Sequence, residues 1–211
     1  MIAWPLFVVA ALELYVGWAL PWWLGWFPIW CGVATFFVAV AYVVQRPVWL
    51  GKGRWYRRAL APYLWFSQSV AAAAQRGGLV ERQEVVPGLW VGGWPRKGAP
   101  GLAQLDLTAE LPRRGDAHRY RAIPMLDGAT PRREDWEAAV EQALAWRREG
   151  FDVLVHCAYG HGRSVAVVVG VLVREGHAPH AAAAAEMVTR IRPRARMSPG
   201  QRRFVQTVFP G

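Results

Sequence analysis

The chain has 211 residues, 25 Lys and Arg against 15 Asp and Glu, a formal net charge of +10, 54% hydrophobic residues with 13 tryptophans, and only 2 cysteines. Two cysteines exclude a disulfide framework and point to a reducing compartment. The basic excess is not that of a nucleic-acid-binding protein: lysine occurs only at Lys52 and Lys97, the arginines are dispersed, and no nucleic-acid motif is present.

Residues 2–44 contain a single charged side chain, Glu13, in a run dense in Leu, Val, Ala, Phe and Trp. A membrane span needs about 20 apolar residues. Segments 2–20 and 26–44 each approach that length, and Pro21-Trp-Trp-Leu-Gly25 between them supplies a breaker, a flexible residue and interfacial aromatics. The expectation is a transmembrane helical hairpin over 1–45, with Glu13 facing the partner helix or the interface. A cleaved signal peptide would need a basic start and a small-residue cleavage site, and neither is present.

Residues 46–80 read as a juxtamembrane linker. Arg46, Lys52, Arg54, Arg57 and Arg58 follow the second apolar segment without an acidic neighbour, whereas the turn between the segments is uncharged. Basic residues beside a span stay on the cytoplasmic side, so whatever follows is expected in the cytoplasm of a two-span membrane protein. Trp49, Trp55, Tyr56, Leu60, Tyr63, Leu64, Trp65 and Phe66 alternate with the cations, a mixture suited to anionic lipid headgroups or to packing as a helix on the next domain. Ala71 to Ala74 followed by Gly77-Gly78 marks a helix end.

Residues 81–211 read as one α/β domain, a central sheet flanked by helices; about 130 residues suffice for one core. Strands are expected at 89–92, 103–107, 119–124 and 152–156. Thr130-Pro131 offers an N-cap and first turn for a helix running to Gly150, with Trp136, Val140, Ala143 and Leu144 at helical spacing. The stretch 165–173 is apolar on every face, as in a central buried helix. Ala181–Ile191 forms another helix, and Ser198-Pro-Gly-Gln201 has capping-box spacing and opens a last one, with Phe204 and Val205 inward.

Between the last strand and the buried helix stands His156-Cys-Ala-Tyr-Gly-His-Gly-Arg-Ser164. Unpaired amides and the positive end of a helix dipole favour an anion there, and Gly160 and Gly162 let the backbone curl those amides inward. The same field favours the thiolate form of Cys157. Arg163 has the planar fork that grips two phosphate oxygens, Ser164 can donate to the sulfur, and His156 can orient the loop.

Cys-x5-Arg-Ser preceded by His resembles the signature of the cysteine-based protein tyrosine phosphatases, and the layout resembles their dual-specificity branch. The resemblance covers roughly 81–211; Val86-Pro-Gly-Leu-Trp-Val-Gly-Gly93 is similar to the opening hairpin and Leu105-Asp-Leu-Thr-Ala-Glu110 to the second strand and turn, with Asp106 and Glu110 structural. It implies Cys157 as nucleophile, Arg163 as transition-state clamp, Asp127 in Ala122-Ile-Pro-Met-Leu-Asp-Gly as general acid, and Ala158, Tyr159, Gly160, His161 and Gly162 as the substrate cradle. The implied chemistry is phosphomonoester hydrolysis through a cysteinyl-phosphate, without metal or cofactor; zinc on His156, Cys157 and His161 lacks a fourth ligand, since Cys31 lies in an apolar run. Membrane anchoring favours a lipid phosphomonoester, such as phosphatidylglycerophosphate or a phosphoinositide. Lipid-directed relatives often carry lysines in this loop, where Ala158, Tyr159 and His161 stand, so a membrane-bound Tyr, Ser or Thr phosphoprotein phosphatase is the alternative. A silent phosphate-binding module is the third reading, and it would not require a nucleophile.

Overall fold

The computed structural model describes residues 3–50, 54–95, 98–113 and 115–211, and the side chains at 54–56 are left aside. Residue 2 and Lys52 of the expectations above, and the side chains of Arg54, Trp55 and Tyr56, therefore lie outside the description. The chain forms two compact units, one of residues 1–70 with 109–112 and one of 71–108 with 113–211.

The first unit is built on two apolar helices, α1 (Ala3–Ala19) and α2 (Trp22–Val43). Trp22 to Gly25 belong to α2, so the connection is shorter than the sequence suggests: Pro21 serves as the N-cap residue, and the Leu24 and Gly25 amides donate to its carbonyl oxygen at 2.8 and 2.9 Å. Proline is tolerated at a helix start because its missing N–H would be unpaired there. The reason Gly25 is helical lies across the seam. A Cβ on Gly25 would strike the Gly17 carbonyl oxygen, one on Gly17 would fall 2.6 Å from the Ile29 side chain, and one on Gly32 would fall 2.7 Å from Leu14. Glycines at these turns let two backbones touch, the packing that helices use where water exclusion does not drive them together. α2 is long and apolar enough to cross a membrane, and α1 is a shorter apolar helix of 17 residues. Large apolar side chains face outward along both, up to Trp22 at 88% exposure.

A 3₁₀ turn (Pro47–Leu50) follows, then α3 (Arg54–Ala59) and α4 (Ala61–Arg76). The Trp30 indole donates to the Ala59 carbonyl oxygen at 3.0 Å and meets the Trp65 ring edge-on at 5.9 Å. α4 ends where Gly78 takes a φ of 65°, as the paired glycines imply.

The second unit carries a five-stranded mixed sheet in the order β1-β2-β5-β3-β4, made of β1 (Gln83–Val86), β2 (Leu89–Gly92), β3 (Gly98–Asp106), β4 (Asp116–Ala122) and β5 (Val153–His156). β1 and β2 form an antiparallel hairpin; β2, β5, β3 and β4 are mutually parallel. The expected third strand, 119–124, sits earlier, because β4 pairs Asp116 with Gly98 and ends at Ala122. Its residues are exposed or half-buried throughout, so no apolar alternation marks its start.

Four helices cover one face: α5 (Arg133–Arg148), α6 (Arg163–Arg174), α7 (Ala181–Ile191) and α8 (Pro199–Val208). Thr130-Pro131 does not start α5, which is preceded by Arg132 with no side-chain cap; the Thr130 hydroxyl instead lies against Gly200. α6 is buried from Arg163 through Leu172, as its all-apolar run predicts. Trp136 on α5 is fully buried, donates its indole N–H to the Ala166 carbonyl oxygen at 2.9 Å, and fills the notch left by Gly170, where a Cβ would lie 2.5 Å from the ring. Truncating such a ring to alanine costs about 3–5 kcal/mol. Ser198 and Gln201 form the expected capping box on α8, and Val205 is fully buried.

Candidate active site

β5 is the middle strand, all four of its residues are buried, and it delivers His156 between the ends of its parallel neighbours, Gly92 of β2 and Asp106 of β3. The loop 157–162 then curls into the N-terminus of α6. The curl depends on Gly160, at φ 72°, where a Cβ would lie 2.5 Å from the Gly92 carbonyl carbon. Its amide turns inward and donates to Cys157 Sγ at 3.2 Å; the Ser164 hydroxyl lies 3.4 Å from the same sulfur. Cys157 is 2% exposed, and its sulfur takes the Gly160 amide close to the N-terminus of α6, the positive end of that helix's dipole. The Ala158 carbonyl oxygen accepts from the Trp94 amide at 3.1 Å, and Gly162 backs onto Gln201, whose Oε1 is 2.8 Å from where a Cβ would be.

Arg163 is 1% exposed and spans from the loop to two other segments. Nη1 donates to the carbonyl oxygens of Leu107 at 3.3 Å and Met125 at 2.9 Å, and Nε lies 3.2 Å from Asp127 Oδ1. Asp127 sits in the turn after Met125 with about half of its side chain exposed, at 51%. The Cys157 loop, Arg163 and Asp127 are thus brought together by α6 and the segment after β4. His156 is 1% exposed with Nδ1 3.8 Å from Asp106 Oδ1, beyond hydrogen-bond distance; burial pushes its pKa below the usual histidine value and Arg163 adds to that, against Asp106. Asp106 spends its carboxylate elsewhere, accepting from the Thr108 amide at 2.8 Å, the Thr108 hydroxyl at 2.7 Å and the Tyr120 hydroxyl at 2.7 Å. Burial and Asp106 together push the Tyr120 phenol up. Glu110 caps locally, accepting from the Ala109 amide at 2.9 Å.

No family model matches the sequence, and no curated protein matches it either. Solved structures do match. A variant of human DUSP28 superposes with a TM-score of 0.54 and 26% identity, covering 60% of this chain and 92% of that one. A mouse putative dual specificity phosphatase, solved with zinc tungstate, gives 0.52 and 24% over 60% of this chain and 87% of that one. PTPMT1 in complex with PI(5)P gives 0.51 and 17% over 60% and 92%.

The second unit has the dual-specificity phosphatase fold.

This dual-specificity phosphatase fold contains a residue that the sequence does not single out. Arg192, 4% exposed beyond the end of α7, donates to the carbonyl oxygens of Tyr159 at 3.0 Å and Gly160 at 2.9 Å, and to Glu81 and Gln83 of the segment entering β1. With its carbonyls turned out to Arg192, the loop turns its Gly160 amide in. The arginine stands 32 residues from Gly160 in a run of alternating arginines, and nothing local sets it apart. Tyr159 and His161 form the rim, their rings 6.3 Å apart; burial first, then Arg192 and Arg194, push the His161 pKa down, with Asp127 opposing. Among the described residues no three His, Cys, Asp or Glu side chains are grouped to hold a metal ion.

Proposed function

We propose that the chain is a membrane-anchored phosphatase that hydrolyses a lipid phosphomonoester at the cytoplasmic face of the membrane through a cysteinyl-phosphate. The observation that carries the chemistry is the Cys157 sulfur, 3.2 Å from the Gly160 amide at the head of α6, with the Arg163–Asp127 ion pair at 3.2 Å beside it. In the first step the Cys157 thiolate attacks phosphorus in line. The bond to the leaving oxygen breaks as Asp127 gives that oxygen a proton, while Arg163 and the loop amides hold the charge on the equatorial oxygens. In the second, Asp127 takes a proton from water as that water attacks phosphorus; the sulfur–phosphorus bond breaks and Ser164 donates to the departing thiolate.

The lipid assignment draws on the apolar hairpin and the cations after it. Arg46, Arg57 and Arg58 are exposed beyond α2, and the turn between α1 and α2 is uncharged. Basic residues held near the bilayer mark the cytoplasmic side, and a tethered site meets headgroups at high effective concentration. The same fold in PTPMT1 is solved with a phosphoinositide. Ala158, Tyr159 and His161, in place of loop lysines, favour the second reading, a membrane-bound phosphoprotein phosphatase.

Full-length protein in mixed micelles, assayed for phosphate release from phospholipids, phosphopeptides and an aryl phosphate, tests both. Cys157→Ser is expected to abolish release and Asp127→Asn to lower it by about 10²–10⁴-fold. Peptide turnover exceeding lipid turnover by orders of magnitude removes the lipid reading; full turnover by Cys157→Ser removes the mechanism.

A further inference from the structure

Each carbonyl of the Cys157 loop from Ala158 to His161 is turned outward to a donor elsewhere in the chain. The Trp94 amide donates to Ala158 at 3.1 Å, Arg192 to Tyr159 and Gly160 at 3.0 and 2.9 Å, and the Arg196 amide to His161 at 2.9 Å. Carbonyls held outward leave the intervening amides to face an anion. One end of the loop thus rests on the turn after α7. The other rests on Gly92-Gly93-Trp94, the strip that leaves β2: the Cys157 amide donates to the Gly92 carbonyl oxygen at 3.4 Å, and a Cβ on Gly160 would lie 2.8 Å from the Gly93 nitrogen.

That strip is itself held from behind. The Gly93 amide donates to the Val80 carbonyl oxygen at 3.0 Å, and Gln75, in the last turn of α4, donates its Nε2 to the Trp94 carbonyl oxygen. Trp94 is 1% exposed and precedes Pro95, which confines it to extended backbone, so its carbonyl does not turn without its amide. Gln75 is half-buried and follows Ala71 to Ala74, whose short side chains bring α4 close. A cavity of about 600 Å³, lined by Gln75, Val80, Gly93, Trp94 and Leu154 among others, opens beside the contact. At that point a directed bond, and not close packing, ties the end of α4 to Trp94.

We propose that Gln75 is a positioning residue for the Cys157 loop: through Trp94 it fixes the Ala158 carbonyl outward, and it makes an ordered end of α4 a condition of oxyanion binding over Cys157. Gln75 touches neither substrate nor sulfur. Its effect passes through two hydrogen bonds in series, Gln75 to Trp94 and Trp94 to Ala158. The helix that carries it starts at Ala61, in the unit built on the apolar helices, and reaches Gln75 in the catalytic unit. The segment that leads out of the anchor is thereby also a support of the site. The inference rests on the phosphatase reading of Cys157 and Arg163 above and is independent of the choice between lipid and phosphoprotein.

The test compares full-length wild type, Gln75→Met, Gln75→Lys and Ala73→Pro in mixed micelles on an aryl phosphate, with inorganic phosphate as competing oxyanion. The inhibition constant for phosphate is read from whatever enzyme is folded, so a loss of stability alone does not move it. Gln75→Met keeps the length and loses the donor; its kcat is expected to fall at least fivefold and its inhibition constant to rise at least fivefold. Gln75→Lys restores an N–H donor and is expected to recover at least half of the wild-type kcat. Ala73 is exposed, and Ala73→Pro breaks the last turn of α4 with Gln75 still present, so its inhibition constant is expected to rise at least threefold. A wild-type inhibition constant in Gln75→Met, whatever its urea midpoint, would overturn the positioning role, and one in Ala73→Pro would overturn the dependence on α4. A wild type that releases no phosphate from the aryl ester would overturn the phosphatase reading and this inference with it.

Discussion

The Arg192 guanidinium donates to the Gly160 carbonyl oxygen at 2.9 Å, tying a segment after α7 to the back of the loop whose Gly160 amide faces Cys157. Arg192 also donates to the Tyr159 carbonyl oxygen at 3.0 Å, which shares its peptide plane with the Gly160 amide, so removing the outer contact frees the inner one. Arg192→Ala is expected to lower kcat at least tenfold and to destabilise the second unit by roughly 2–4 kcal/mol, since the carbonyl oxygens of Tyr159, Gly160 and Glu81 lose a charged donor. Arg192→Lys should recover part of the stability and little of the rate, having no fork. Urea midpoints with aryl phosphate kinetics check this; unchanged kcat in Arg192→Ala would show that the loop needs no such brace.

Gly160→Ala tests the loop's curvature. The residue needs both φ 72° and room against Gly92, whereas Gly176, at φ 77°, faces open space. Gly176→Ala should lose about 1–2 kcal/mol from the left-handed backbone alone and keep its rate. Gly160→Ala should lose more stability and nearly all activity. Equal behaviour of the two variants would show that close approach to Gly92 is immaterial.

Acidity should loosen the domain through His156. Its folded pKa lies below the ordinary value near 6.5, with burial as the main cause, so on acidification the unfolded chain binds the proton first. Stability from this group is intact above about pH 6.5 and declines as pH falls from there toward the folded value. His161 shifts in the same sense, by burial and by Arg192 and Arg194. The urea midpoint of His156→Gln should therefore fall less between pH 7.5 and 5.5 than that of the wild type. A parallel fall would place the sensitivity elsewhere.

The cations after α2 should matter only where there is a bilayer. Each basic residue near an anionic surface contributes about 1 kcal/mol, so Arg46→Gln with Arg57→Gln and Arg58→Gln should lower turnover of a lipid in anionic vesicles far more than turnover of a soluble aryl phosphate. High salt should mimic the substitutions by screening. Equal loss on both substrates would remove the membrane role of these arginines.

The loop and its flanks were legible in sequence because each is a local pattern: a short β-branched run, a glycine-rich turn, and an apolar stretch too uniform for a surface helix. β2 and α7 begin and end where their residues suggest, and the Ser198–Gln201 capping box is a fixed spacing. What was not legible depends on partners distant in the chain. Thr130 has the chemistry of an N-cap but lies against Gly200, and α5 starts later, at Arg133. Gly25 looks like a hinge and is instead a helical contact with Gly17. Arg192 is one arginine among several until the fold brings its guanidinium to Tyr159 and Gly160.

β5, all buried and bonded to parallel neighbours on both sides, has a consequence for how the domain breathes. Backbone amides exchange with solvent when their surroundings open, and edge elements open before central ones. β1 and β4 stand at the two edges of the sheet and can fray while β5 stays closed. The amides of Leu154 and Val155 should then be among the slowest in the domain to take up deuterium. The Cys157 sulfur that follows them rides on the part of the domain that moves last, so ordinary fluctuations at its margins leave it where the loop holds it.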